Sequence, residues 1–346
     1  MKTLWYRCIK FYIKIGLFFY TKKIITVGKE NIPKKGAVLF AVNHPNGLLD
    51  PLIVTTNVPR DTFYLVRAAA FKNAIANKIL RSVHLMPIYR IRDGRKEISK
   101  NEAVFKDCFE ILKSRKTLMI FPEGSHDQRR TIRTISKGFT RIVFGALEKY
   151  PDLKITIIPV GISYQNIGQF PSKVAIHYGT PISANAIFNP TDITTSTNLL
   201  KKQVSNQLKK LSVHISDDEN YASTLEKLNK NNTDFTKVNT VNKSILDNNF
   251  SQQQRNTNSV KPIYYLLLLN SIIPWLIWKK IAKKINEREF IDTFRVALGI
   301  SLFPLFYVLQ SLTISYFYTE KIAGYYLILT VISTLIYVKL SPTPAE

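Results

Sequence analysis

Only two cysteines, Cys8 and Cys108, occur in 346 residues. They have neither the spacing of a metal site nor the number for a disulfide framework, so both are expected to be reduced and inert. Acidic side chains are also scarce: 24 Asp and Glu stand against 49 Lys and Arg, a formal net charge of +25. A balance this basic suits either nucleic acid or an anionic lipid surface. No zinc-finger, RNA-recognition or helix-turn-helix pattern is present, so lipid is the expected partner and nucleic acid is not. No Gly-x-Ser-x-Gly elbow and no internal repeat occur. Charge is missing altogether from residues 296–318 and 322–338, two stretches of 23 and 17 residues.

Both stretches reach membrane-spanning length, and only Thr319-Glu320-Lys321 separates them, so they read as a transmembrane hairpin. Lys279, Lys280, Lys283, Lys284, Arg288 and Arg295 precede it and Lys339 follows. Positive flanks on both sides place both ends, and the domain upstream, in the cytoplasm. Residues 263–278 are apolar but shorter, with Asn270 and Pro274 inside, and suit an interfacial or re-entrant segment. At the other end, residues 4–20 set Arg7, Lys10 and Lys14 three to four apart among aromatics. That spacing gathers the cations on one face of a helix lying in the headgroup zone. Lysines interrupt its apolar part and no small-residue cleavage site follows, which argues against a signal peptide.

Residues 37–42, Ala-Val-Leu-Phe-Ala-Val, have the short, apolar, partly β-branched character of a buried strand. Asn43-His44-Pro45-Asn46-Gly47-Leu48-Leu49-Asp50-Pro51 follows directly. His44 precedes a proline and is pushed toward an extended conformation, while Asn46-Gly47 is a turn pair. Asp50 with Pro51 behind it reads as an N-cap followed by proline at the first helical position. The strand thus carries His44 to its carboxyl end and the turn brings Asp50 back toward it. A carboxylate beside an imidazole fixes its tautomer and frees the second nitrogen to take a proton. A loop histidine merely satisfied by its neighbour is the plain alternative. It loses ground because three more strand ends carry matching chemistry.

Residues 86–94 step from Met-Pro-Ile-Tyr into Arg90 and Arg92, and residues 117–120 run into Phe121-Pro122-Glu123-Gly124-Ser125-His126-Asp127. A fourth apolar run, residues 155–162, contains Pro159. Strand ends bearing His/Asp, Arg, Glu/Gly and Pro, in this order, resemble the four motifs of the phospholipid/glycerol acyltransferase superfamily across residues 30–185. Two departures stand out. Five residues rather than the usual four separate His44 from Asp50, and the extra one falls in the Asn46-Gly47 turn, where glycine absorbs it. His126 follows Phe-Pro-Glu-Gly-Ser where many lysophosphatidate acyltransferases have arginine. Both departures look like the glycerol-3-phosphate/dihydroxyacetone-phosphate branch.

The resemblance implies an α/β fold, a mixed, mainly parallel sheet flanked by helices, with the site at the strand ends. It implies a membrane-bound O-acyltransferase of phospholipid synthesis acting on glycerol 3-phosphate, or alternatively on lysophosphatidate or another lysolipid. His44 would be the general base, Asp50 its orienting carboxylate, and Arg90, Glu123, Gly124 and Ser125 the substrate-binding residues. Arg90 also suits a phosphate by its own planar fork. Pro159 would shape the acyl pocket. No metal or cofactor is expected; acyl-CoA or acyl carrier protein is the donor substrate. Arg129, Arg133, Lys137 and Arg141, spaced by four, would form a basic stripe if helical, with Arg130 adding charge; Gly138 weakens that helix.

The expected organisation is a membrane-interface helix (1–29), a catalytic domain (30–212), a polar tether or weakly packed helices (213–260) and a membrane anchor (261–346) with spans near 296–318 and 322–338. Two rival classes remain. A hydrolase would use Ser125, His126 and Asp127, though adjacent residues make a poor relay. A non-catalytic membrane tether would need only the basic surface.

Overall fold

The computed structural model describes residues 2–89, 96, 99–253 and 260–342. Helix α1 (Lys2–Tyr20) leads into β1 (Lys23–Val27), β2 (Ala37–Val42), α2 (Leu49–Asn57), β3 (Thr62–Arg67), α3 (Ala74–Ser82) and β4 (Leu85–Ile88). Next come α4 (Asn101–Lys113), β5 (Thr117–Ile120), α5 (Gly138–Lys149), β6 (Ile155–Tyr164), β7 (Lys173–Tyr178), β8 (Ile182–Ser183), α6 (Ala184–Ile187) and α7 (Ile193–Leu211). The remaining helices are α8 (Tyr221–Lys230), α9 (Val238–Leu246), α10 (Lys261–Asn270), α11 (Ile272–Ala282), α12 (Ile291–Ile300), α13 (Leu302–Phe317) and α14 (Glu320–Leu340).

The strands form one mixed sheet in the order β1-β7-β6-β2-β5-β3-β4, with β8 on β6. Pairing is parallel except where β6 meets β7 and β8. Strand β2 lies at the centre, and all six of its residues are buried. Ala37, Leu39 and Ala41 face a core built with α4, α5 and α7. Val38, Phe40 and Val42 face a second core with Leu17 of α1, Ile53 and Val54 of α2, and Val296 of α12. A strand covered on both faces has no polar side to alternate with, which is why its sequence reads as an unbroken apolar run.

The N-terminal helix forms as expected, but two of its cations serve the protein rather than the headgroup zone. Arg7 pairs with Asp61 at 3.3 Å, and Lys10 donates to the carbonyls of Val58 and Arg60 at 2.8 and 2.9 Å. The opposite side leaves Leu4, Trp5, Phe11, Tyr12, Ile15 and Phe18 exposed. Residues 213–253, within the segment expected as a polar tether or weakly packed helices, carry helices α8 and α9. Val213 and Ile215 join Leu228, Phe235, Val238 and Val241 against Ala175 of β7 in a third apolar cluster.

Among the described residues, two C-terminal helices are long and apolar enough to cross a membrane, residues 288–317 and 320–340, or three if a bent pair counts as one span. The first starts before the charge-free stretch, at Arg288, and contains a break at Ser301 between α12 and α13. Thr319 caps α14, its Oγ1 accepting from Ile322 N at 3.3 Å. Helices α10 and α11 meet at 92° across Ser271. Ser271 Oγ and Tyr307 OH are 2.7 Å apart, and Tyr326 OH donates to Asn270 Oδ1 at 3.0 Å. Such bonds tie apolar helices together where the hydrophobic effect cannot.

Candidate active site

His44 stands just past the carboxyl end of β2. The preceding residue fixes that exit: Asn43 Nδ2 donates to Ile162 O at 3.1 Å and Asn43 Oδ1 accepts from Ile162 N at 2.7 Å. The His44 ring stacks on Phe121 with centroids 4.0 Å apart, and the His126 ring meets it edge-on at 5.6 Å. His44 Nδ1 lies 2.7 Å from Asp50 Oδ2. Because a carboxylate only accepts, Nδ1 carries the proton and Nε2 presents a lone pair.

Asp50 differs from the expected N-cap. Helix α2 begins at Leu49, so Asp50 and Pro51 sit inside its first turn, where a missing N–H costs no intrahelical bond. The side chain turns back instead, because it is fully buried and needs donors. Its Oδ2 accepts from Asn46 N at 2.7 Å as well as from His44, and its Oδ1 accepts from Tyr164 OH at 2.7 Å. Burial and the Asp50 charge push the Tyr164 hydroxyl well above its ordinary range, so it stays a donor.

The facing loop carries Glu123, Gly124 and Ser125. Gly124 adopts φ +77°, a left-handed conformation that glycine takes without strain, and its N–H donates to Phe121 O at 3.0 Å. Arg133 Nε donates to Glu123 Oε2 at 2.8 Å and Nη1 donates to Ser125 Oγ at 2.7 Å; Nη2 also reaches the Ser125 carbonyl. The Glu123 side chain is only 3% exposed. Burial raises its carboxyl above the ordinary range, against the opposing pull of Arg133. The structure thus brings His44, Asp50, Glu123, Gly124 and Ser125 to one end of the sheet. Arg90 and Arg92 lie outside the described residues. The chain approaching them is fixed at Tyr89, whose N–H and carbonyl both bond the Asn101 amide, at 3.0 and 2.7 Å.

The basic stripe does not form. Helix α5 starts only at Gly138, because the preceding backbone is engaged elsewhere: Arg130 O accepts from Ile215 N, and Ile132 N donates to His214 Nδ1. Arg129 pairs with Asp127 and Asp217, while Arg130 is buried, donates to Tyr164 O and Gln165 O, and stacks 3.6 Å from the Phe235 ring centroid. Nor do Ser125, His126 and Asp127 line up as a relay. Ser125 Oγ accepts from Arg133, Asp127 pairs with Arg129, and His126 Nε2 faces Glu287 at 3.5 Å. His126, Glu287 and Glu289 are the one group of metal-type donors among the described residues, and both acids are solvent-accessible.

Sequence reading missed Asn43, Asn46, Tyr164 and Asp292 and saw Arg133 only as part of a stripe. Asn46 Nδ2 donates to Asp292 Oδ2 at 2.8 Å, so the anchor reaches the site. An aspartate near the mouth of a long apolar run was the available signal.

A half-buried histidine on a buried aspartate at the carboxyl edge of a mainly parallel sheet, opposite an arginine-fixed Glu-Gly-Ser turn, gives this α/β domain a candidate acid–base site. Comparison with known proteins points the same way: residues 23–163 match the acyltransferase family model. The chain is 31% identical over 161 residues to the probable 1-acyl-sn-glycerol-3-phosphate acyltransferase of Mycoplasma pneumoniae, covering 43% of this chain and 55% of that one. It is 29% identical over 112 residues to glycerol-3-phosphate O-acyltransferase 2 of Saccharomyces cerevisiae, 31% of this chain and 15% of the yeast protein. The chain thus spans about half the length of the bacterial relative and a small part of the yeast one. Among solved structures, the 1-acyl-sn-glycerophosphate (LPA) acyltransferase PlsC from Thermotoga maritima aligns with a TM-score of 0.44 and 18% identity, over 60% of this chain and 81% of that chain.

Proposed function

We propose that the protein is a membrane-bound O-acyltransferase that moves a fatty acyl group from acyl-CoA or acyl carrier protein to a hydroxyl of glycerol 3-phosphate. The observation that carries this reading is the 2.7 Å contact between His44 Nδ1 and Asp50 Oδ2. With Nδ1 engaged, Nε2 takes the proton of the acceptor hydroxyl as its oxygen attacks the thioester carbonyl. The C–S bond then breaks, the imidazolium returns the proton to the departing thiolate, and the products are an ester and a free thiol. Asp50 stabilises the imidazolium in between. A base so placed contributes about 10²–10⁴-fold in rate. The acceptor supplies the nucleophile, so no acyl-enzyme is needed.

Arg90 is assigned to the acceptor phosphate on the chemistry of its guanidinium, and Glu123, Gly124 and Ser125 to the glycerol side. The names of the relatives divide between two acceptors. The longer His–Asp spacing and His126 favour glycerol 3-phosphate, with 1-acylglycerol 3-phosphate as the alternative. For the acyl chain, an open groove of about 350 Å³ lies between α11 and α12, its apolar lining from Ile281, Ile285, Phe290 and Phe294 and its polar lining from Lys284, Asn286 and Glu287. Phe290 packs edge-on against His126 at 5.2 Å, and His126 in turn meets the His44 ring at 5.6 Å, so one ring separates the groove from the base. Each methylene buried there contributes about 0.8 kcal/mol, roughly a fourfold preference per carbon. The lysines and arginines before α12 support a cytoplasmic orientation of the domain by the positive-inside rule.

The test is acyl transfer by membranes bearing the protein. Labelled palmitoyl-CoA and palmitoyl-acyl carrier protein are offered with glycerol 3-phosphate, dihydroxyacetone phosphate or lysophosphatidate, with His44→Ala as control. Label entering glycerol 3-phosphate, and lost in the variant, is the expected result. Transfer to lysophosphatidate alone would establish the alternative acceptor. Transfer to none, or transfer indifferent to the variant, would overturn the mechanism in favour of a non-catalytic tether.

A further inference from the structure

We infer that Asp292, in the first turn of the anchor helix α12, is a positioning residue for the His44–Asp50 pair and acts through Asn46. The inference rests on the reading of His44 as the base. The chain between His44 and Asp50 is gripped from residues 289–293 at three successive positions. Asn46 Nδ2 donates to Asp292 Oδ2 at 2.8 Å. Gly47, at φ +42°, passes so close that a Cβ would lie 2.6 Å from the Glu289 carbonyl oxygen. Leu48 N donates to Thr293 Oγ1 at 3.2 Å.

The middle of this grip matters for chemistry because Asn46 has two ends. Its side chain is held by Asp292, while its backbone N–H donates to Asp50 Oδ2, the same oxygen that holds His44 Nδ1. Asn46 and Asp50 are fully buried and Asp292 is 3% exposed, so solvent cannot replace either bond cheaply. Asp292 is itself fixed. Its Oδ1 accepts from Tyr20 OH at 2.6 Å and from Arg295 Nη1 at 3.1 Å, and its Oδ2 accepts from Gly168 N at 2.9 Å. A carboxylate braced by three other donors thus sets where Asn46 sits, and Asn46 sets the angle at which Asp50 presents to the imidazole.

The experiment uses the full-length protein in membranes and compares His44→Ala, Asn46→Ala, Asp292→Ala, Asp292→Asn and the double variant Asn46→Ala/Asp292→Ala. Asn46→Ala keeps the backbone N–H and removes only the tether. We expect kcat to fall about tenfold in Asn46→Ala and Asp292→Ala, as small misplacements of reacting groups do, with KM within about twofold of the parent. The double variant should be no slower than the slower single one, the signature of two residues in one chain of contacts. Asp292→Asn should recover most of the lost kcat, since an amide oxygen still accepts from Asn46 and Gly168. A purely structural role would instead lower the amount of folded protein and leave kcat per folded molecule intact. The inference is overturned if Asn46→Ala and Asp292→Ala keep full kcat while His44→Ala is inactive, or if their losses simply add. If His44→Ala itself stays active, the base reading is what has failed.

Discussion

The two walls of the cleft are held by opposite means. Glu123, Ser125 and Arg133 satisfy one another within ten residues of chain. Asp50, across the cleft, is satisfied by Tyr164, 114 residues away, and its loop by Asp292, 246 residues from Asn46. The bonds of the first wall join residues at most ten apart, although the backbone just before Arg133 is held by residues 214 and 215. The second is only as well placed as the tertiary structure around it, so a loss of packing far from the site reaches the base before it reaches the acceptor loop.

The comparison is broken most completely at His44, the proposed base. His44→Ala should lower kcat by about 10²–10⁴-fold with little change in melting temperature, as steady-state kinetics beside a thermal melt would show. On the local wall the largest effect should be on folding. Arg133→Ala leaves a buried carboxylate without its cation, a loss on the order of 3 kcal/mol by denaturant titration, and adding Glu123→Gln should restore much of it. Tyr164→Phe removes one donor from buried Asp50 and should cost about 1–3 kcal/mol, with kcat falling while acceptor KM holds. Gly47→Ala puts a Cβ into the Glu289 carbonyl and strains a left-handed turn, for about 1 kcal/mol in a thermal melt.

The smallest effect sharpens the contrast by pH. His214 Nδ1 accepts from Ile132 N at 3.1 Å behind the local wall, and burial, helped by Lys209, pushes its imidazole down to about 4. The unfolded chain takes up that proton near pH 6.5. The stabilisation is therefore complete above pH 6.5 and declines as pH falls toward 4. His214→Asn, which keeps an acceptor for Ile132, should flatten that part of a stability-versus-pH curve.

What could be read from the sequence divides along the same line. The approach of His44 and Asp50 was legible because a strand, an Asn-Gly turn and a helix start are local signals a few residues apart. The role of Asp50 as an N-cap was misread because its donors come from Tyr164 and from the backbone of Asn46, and burial outweighed local propensity. The basic stripe failed for a similar reason: residues 130–132 bond to residues 214–215, a pairing that spacing by four cannot reveal. The spans were visible as charge-free stretches, yet nothing in them says which turn of α12 meets the loop.

The bond between Asn46 and Asp292 also has a meaning in time. A ribosome adds about 5–20 residues per second, so roughly 12–50 s pass between the synthesis of the loop and that of the carboxylate that braces it. Once β6 has been made, the central strands β2, β5 and β6 are all present, but His44 has no support from the anchor. If Asp292 sets the base, the nascent chain stays catalytically immature until α12 has emerged beside the bilayer. The order of synthesis would then complete the site only beside the bilayer.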